Sequence, residues 1–152
     1  MNLNLFNVIF FITIMSLIGA CNRPETFLHN FSEKKWNATD SVIFSFDIDG
    51  INNEKSISFF FRNNLDYPYR NIFLFIELHN DDRVVGVDTV QYLISNKYGQ
   101  WLGRGLGKTR DNYFIFNHQY FFPDSGEHKI IIRHGMRSSQ LVGAVKFGVK
   151  IE

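Results

Sequence analysis

The side chains able to do covalent, acid–base or metal chemistry are few and scattered. The chain holds one cysteine, Cys21, and five histidines: His29, His79, His118, His128 and His134. One thiol cannot form an internal disulfide. None of the histidines has a close ligand spacing such as H-x-x-x-H, and no second cysteine is available, so the spacing gives no metal site. His128 and His134, six apart, can share one face of a strand. Ser138 and Ser139 lack the glycine-flanked elbow that exposes a nucleophilic serine, and the acids are dispersed. The run Gly103-Arg104-Gly105-Leu106-Gly107-Lys108-Thr109 invites comparison with a phosphate loop. Leu102 stands where that loop needs glycine, and the following Asn112-Tyr113-Phe114-Ile115-Phe116 reads as a strand, not a phosphate-receiving helix. It is expected to be a glycine-rich excursion between strands, the kind of loop that carries contacts.

Cys21 has a more specific setting. Leu17-Ile18-Gly19-Ala20-Cys21 places small residues directly before the thiol and resembles a lipobox, the recognition site of the lipoprotein signal peptidase. There the thiolate takes diacylglycerol as a thioether, cleavage falls between Ala20 and Cys21, and the freed amine is acylated. No charged side chain precedes Arg23, and Val8–Leu17 is the apolar run of a signal peptide. A spanning helix needs about 20 predominantly apolar residues, and Asn4, Asn7, Thr13 and Ser16 interrupt this leader. Residues 1–20 are therefore read as a lipoprotein signal peptide and 21–26 as a lipidated tether, stiffened by Pro24. One acyl chain binds a membrane marginally, whereas several hold. The tether has no acidic cluster, so the expected location is the outer membrane, facing the periplasm. The covalent lipid on Cys21 is the only non-protein group expected.

Two further chemistries concern sugars. Trp36, Tyr98 and Trp101 could stack on sugar faces or plug a core. Asp40-Ser41-Val42 and Asp88-Thr89-Val90 match a short D-[S/T]-apolar motif for periplasmic O-glycosylation. Ser41, at a strand start, is the better candidate of the two. Asn37-Ala38-Thr39 fits the N-glycosylation pattern, which matters only in hosts with that machinery.

The elements that must position these residues read as strands. Residues 27–152 suit one domain. Phe and Tyr are abundant (17 and 6) and prolines few (3), a composition that favours pleated, half-buried surfaces. Ser41–Ile48 alternates, with Val42, Phe44, Phe46 and Ile48 on one face. Lys55–Phe61 is rich in Phe and Ile. Asn71–His79 is nearly continuously apolar, as for a central strand covered on both faces. Arg83–Ser95 alternates again, and Tyr113–Phe122 and Lys129–His134 follow. Ala144–Ile151 is expected to turn Val145, Phe147, Val149 and Ile151 inward. Asp49-Gly50, Asn52-Asn53, Asn63-Asn64, Asn80-Asp81-Asp82 and Asp124-Ser125-Gly126 supply turns. Met136–Leu141 is the one stretch that suggests a helical turn. Seven or eight such strands predict an all-β fold, an antiparallel two-sheet sandwich or jelly roll. The net charge of +1 gives no electrostatic case for nucleic acid.

The whole pattern resembles the GldH family of gliding-motility lipoproteins of Bacteroidetes. The lipobox at Cys21 begins it, and Tyr69–Ile76 is similar to the family's central strand. Asp88-Thr89-Val90 followed by Gly99-Gln100-Trp101-Leu102-Gly103-Arg104-Gly105-Leu106-Gly107 resembles its hallmark segment. Phe122–Gly126, Gly135-Met136-Arg137, Leu141–Gly143 and Phe147–Glu152 extend the match. His134-Gly135 departs from the more usual Gln-Ala. The resemblance implies a non-enzymatic accessory of the gliding machinery, coupled to type IX secretion, with other envelope proteins as partners and no catalytic residues. Trp, Met and Arg are enriched at interfaces. The expected contact surface is therefore the Tyr98–Lys108 loop with Trp101 and Arg104, together with the Met136–Arg137 turn. The competing expectation is a carbohydrate-binding lipoprotein with two or more exposed rings in a shallow groove.

Overall fold

The computed structural model describes residues 24–152. The expected signal peptide, Ala20–Cys21 cleavage site and lipidation site at Cys21 lie outside the described residues. Among the described residues there are ten strands: β1 (Glu25–Asn30), β2 (Lys35–Asn37), β3 (Val42–Ile48), β4 (Asn53–Asn64), β5 (Asn71–Asn80), β6 (Arg83–Leu93), β7 (Thr109–Phe122), β8 (Gly126–His134), β9 (Gln140–Val142) and β10 (Ala144–Ile151). They form two four-stranded antiparallel sheets, β1-β10-β4-β7 and β3-β8-β5-β6, with β2 and β9 as a separate two-stranded ribbon. The predicted all-β sandwich is the observed fold.

Alternation builds the core. Val42, Phe44, Phe46 and Ile48 of β3 are buried and the residues between them exposed, as their spacing requires. Ile72, Leu74, Ile76 and Leu78 of β5 face the same interior. Ile57, Phe59 and Phe61 of β4 and Phe147, Val149 and Ile151 of β10 meet them from the other sheet. Phe27 of β1 reaches across to Phe44 and Phe46, with ring centroids 6.4 and 6.3 Å away. Each fully buried side chain of this kind contributes about 1.5–3 kcal/mol from water exclusion.

Five expectations are corrected. β5 is central but covered on one face only, with Phe73 and Phe75 turned outward and 36% and 45% exposed. In β10 a register shift between Ala144 and Lys146 buries Ala144 and leaves Val145 half-exposed, so the inward set begins at Phe147. Asn63 and Asn64 are not a turn; they end β4 and are buried. Met136–Leu141 makes no helical turn, since β9 begins at Gln140 and pairs with β2. β1 begins inside the segment read as tether: Glu25 and Thr26 pair with Ile151 and Lys150.

Strand direction gives the sandwich two distinct ends. At one, β1 starts, β10 finishes, and the turns β3–β4, β5–β6 and β7–β8 lie together. It is termed the anchor end, after the lipidation expected at Cys21, which precedes β1 by only a few residues. At the other, distal end lie the connections 31–41, 65–70, 94–108 and 135–143.

Candidate functional site

The sequence-predicted contact residues all fall at the distal end, on two separate connections. Trp101 and Arg104 sit on the 94–108 loop between β6 and β7, Met136 and Arg137 on the segment after β8. The glycine-rich stretch is an excursion between two strands, as its composition suggested.

The loop is built on backbone contacts that only glycine permits. Trp101 bridges to Ser95, and Leu102 N–H donates to Ile94 O at 2.9 Å. Arg104 exchanges two backbone hydrogen bonds with Asp111, of 2.9 and 2.6 Å. A Cβ at Gly103 would lie 2.6 Å from the Asn112 side-chain oxygen, and one at Gly105, whose φ is +155°, 2.5 Å from Thr109 O. The loop therefore folds back tightly on the start of β7. Trp101 is half-buried against the core, whereas the Arg104 side chain is exposed and Leu106 is 97% exposed.

Underneath lies a buried asparagine network that sequence reasoning missed. Asn112 Nδ2 donates to Phe61 O at 2.9 Å and to Asn63 Oδ1 at 3.0 Å. Asn63 Nδ2 donates to Asn64 O, and Asn64 Nδ2 to an Asp66 carboxylate oxygen at 2.7 Å. Buried amides need such partners. The signal was present: two adjacent asparagines ending an aromatic run have more polar groups than a solvent turn requires.

On the second connection, Met136 is half-buried, and its Sδ accepts the Phe73 N–H at 3.3 Å. Tyr69, Asn71, Phe73, Gly135, Met136 and the exposed Arg137 line an open cleft of about 440 Å³. Arg70, at the end of the 65–70 connection, holds the start of the 94–108 loop. Its Nε donates to Asn96 O at 3.0 Å, and its carbonyl accepts the N–H groups of Ile94 and Ser95. Arg70 was not among the residues singled out from sequence.

The rings proposed for sugar stacking do not form a platform. Trp36 is fully buried, with Nε1 donating to Asp40 O at 2.9 Å and its ring stacked on Phe31 at 4.7 Å. Of the three rings, only Tyr98 is largely exposed (76%), with Lys97 over its face. Ser41 is exposed immediately before β3 and lines an open polar groove with Asn37 and Asp40.

The histidines have structural surroundings. His128 and His134 do share the inward face of β8, and both are buried. The His134 Nε2 lies 3.1 Å from Trp36 O, and burial lowers its pKa from the ordinary value, against the raising effect of that hydrogen bond. His79 sits 3.4 Å from Glu77, which also pairs with Arg133. Among the described residues, no three or more His, Cys, Asp or Glu gather as a metal would require.

With this geometry in view, comparisons with known proteins are specific. The family model described as "GldH lipoprotein" matches residues 26–151. The chain is 30% identical to the "Gliding motility lipoprotein GldH homolog" of Christiangramia forsetii, covering 97% of this chain and 95% of that one. It is 25% identical to the "Gliding motility lipoprotein GldH" of Flavobacterium johnsoniae, covering 86% and 81%. Likeness to solved structures is loose. A subviral particle of infectious bursal disease virus VP2 gives a TM-score of 0.40 at 16% identity, over 86% of this chain and 33% of that one. Dimeric latent PorU from Porphyromonas gingivalis gives 0.37 at 14%, over 84% and 12%. Neither bears on function. The match to the family model across the entire folded domain settles the matter: this chain belongs to the GldH lipoprotein family.

Proposed function

We propose that this protein is a lipid-anchored, non-enzymatic component of the gliding motility machinery, coupled to type IX protein secretion. Its anchor is the acylated Cys21, holding the sandwich to the outer membrane on the periplasmic side, and other envelope proteins are its partners. The observation that carries the reading is the family match over residues 26–151, joined to two relatives named as gliding motility lipoproteins. The distal end supports it. That end presents Arg, Tyr and half-buried Trp and Met side chains, the composition of protein interfaces.

The test is a deletion strain complemented with wild type or with Cys21→Ala, scored for colony spreading and for the secreted proteome. Loss of both phenotypes, restored by wild type alone, is the expected result. Normal spreading and secretion in the deletion strain of a gliding host would overturn the reading. Retention on polysaccharide gels would then become the measurement of interest, although one exposed ring of the three is a poor start for sugar binding.

A further inference from the structure

The two ends of the sandwich carry opposite charge, although the whole chain is nearly neutral. At the anchor end the turns and strand termini present Glu25, Asp49, Asp81 and Asp82 without ion-pair partners among the described residues, while Asp124 pairs with Arg83 and Glu152 with Lys150. At the distal end the connections present Lys34, Arg70, Lys97, Arg104, Lys108 and Arg137, all exposed. Among the described residues none of these six cations forms an ion pair. Of the acids at that end, Glu33 pairs with Lys35 and Asp111 with Arg62. Asp40 and Asp66 accept hydrogen bonds from the neutral Asn37, Thr39 and Asn64 side chains and keep their charge. Six unpaired cations therefore outweigh two unpaired carboxylates, and the distal field is net positive.

We propose that the distal end is a docking surface for an acidic segment of a partner protein, centred on Arg70, Arg104 and Arg137. Charge complementarity selects the partner's carboxylates, and guanidinium forks bind carboxylates bidentately. Arg70 is already held by Asn96 O, so little side-chain freedom is lost on binding. Apolar groups lie between the cations: Tyr98 and Leu102 on the loop, and the Tyr69–Phe73–Met136 cleft beside Arg137. Such a mixture suits a protein surface.

The anchoring bilayer is a poor occupant on geometric grounds. Four residues, Cys21 to Pro24, reach at most about 14 Å when fully extended. β4 alone, with twelve residues, runs roughly 36 Å from anchor end to distal end. The tether cannot turn the basic end squarely onto the membrane that holds Cys21.

The cellular arm of the test rests on the gliding reading; the binding arm does not. The full lipidated chain, in non-ionic detergent, is applied to beads carrying poly-L-glutamate or dextran sulfate. Expected is salt-sensitive retention on poly-L-glutamate, reduced at least tenfold by the triple variant Arg70→Glu, Arg104→Glu, Arg137→Glu. The same change of net charge placed at the anchor end, Lys55→Glu, Arg83→Glu, Lys150→Glu, leaves it within about twofold of wild type. Equal retention of the distal triple variant overturns the proposal, as does tighter retention of wild type on dextran sulfate, which would indicate an anionic glycan. In cells the distal triple variant is expected to abolish spreading at normal abundance and membrane fractionation. If deletion stops spreading but the triple variant spreads as wild type, the docking surface is wrong and the gliding reading stands. If deletion leaves spreading intact, the gliding reading fails, and the beads alone decide the docking surface. Should the triple reversal lower the melting temperature, the triple Arg→Gln variant is read by the same criteria.

Discussion

Asn112 and Arg104 sit within one hairpin of each other and should respond to mutation in opposite ways. Asn112→Ala strips the donor from Phe61 O and Asn63 Oδ1, both buried, and is expected to cost about 1–3 kcal/mol. Arg104→Ala removes an exposed side chain and is expected to change stability by less than about 0.5 kcal/mol. Urea unfolding of the two variants separates support from contact. Gly143 is a sharper case. With φ at +83° its Cβ would lie 2.5 Å from Tyr67 N and 2.6 Å from Asn64 Oδ1, so Gly143→Ala should lose about 2–3 kcal/mol. His134 supplies a pH dependence. Burial holds its folded pKa below the ordinary 6.5, so below that value the unfolded chain binds more protons than the native one. Stability is complete above about pH 6.5 and falls as pH drops towards the folded pKa. Denaturation midpoints across pH 5–8 should show the decline in wild type and a flatter profile in His134→Gln. Spacing placed His134 on one strand face with His128, but it did not show the hydrogen bonds of Asn112 or the close approach at Gly143. Trp101 and Met136 could be read equally well as core or contact, and both prove half-buried.

At the scale of elements, legibility followed burial pattern. β3 was readable because one face is dry and the other wet, so hydrophobicity alternates strictly. β5 misled because Phe73 and Phe75 look like core residues yet point outward, where the Gly135–Met136 segment packs beside them. β1 left no signal. It is an edge strand with only Phe27 turned inward, and a single inward residue makes no period. The bulge in β10 was equally silent, since an extra residue reverses the facing of one segment without altering composition. Edge position also predicts behaviour. β1 is paired on one side only, so its amides should exchange hydrogen well before those of β10 and β4. Phe27→Ala should accelerate that exchange and cost about 1–2 kcal/mol, a loss smaller than for a fully buried ring.

For the molecule as a whole, the separation of charge between its ends matters more than its net value. Two free copies can meet acidic end to basic end. A soluble chain beginning at Asn22 should therefore attract itself weakly at low ionic strength and cease to do so near 0.3 M salt, about where screening falls below 6 Å. Static light scattering would read this as a second virial coefficient that rises with salt. On a membrane, where every copy stands the same way up, that pairing is geometrically forbidden, and the positive ends stay available.

The pairing of Glu25 with Ile151 places the start of β1 beside the end of β10. With Cys21 as the proposed anchor, a fluorescent protein or affinity tag fused after Glu152 would be wedged between the sandwich and the lipid surface, tilting the domain or straining its attachment. Reporters for localisation or pull-down are better inserted near Leu106, at the outer tip of the glycine-rich loop, when the distal surface itself is not under test. A silent C-terminal fusion in such a protein would say more about the tag than about the function.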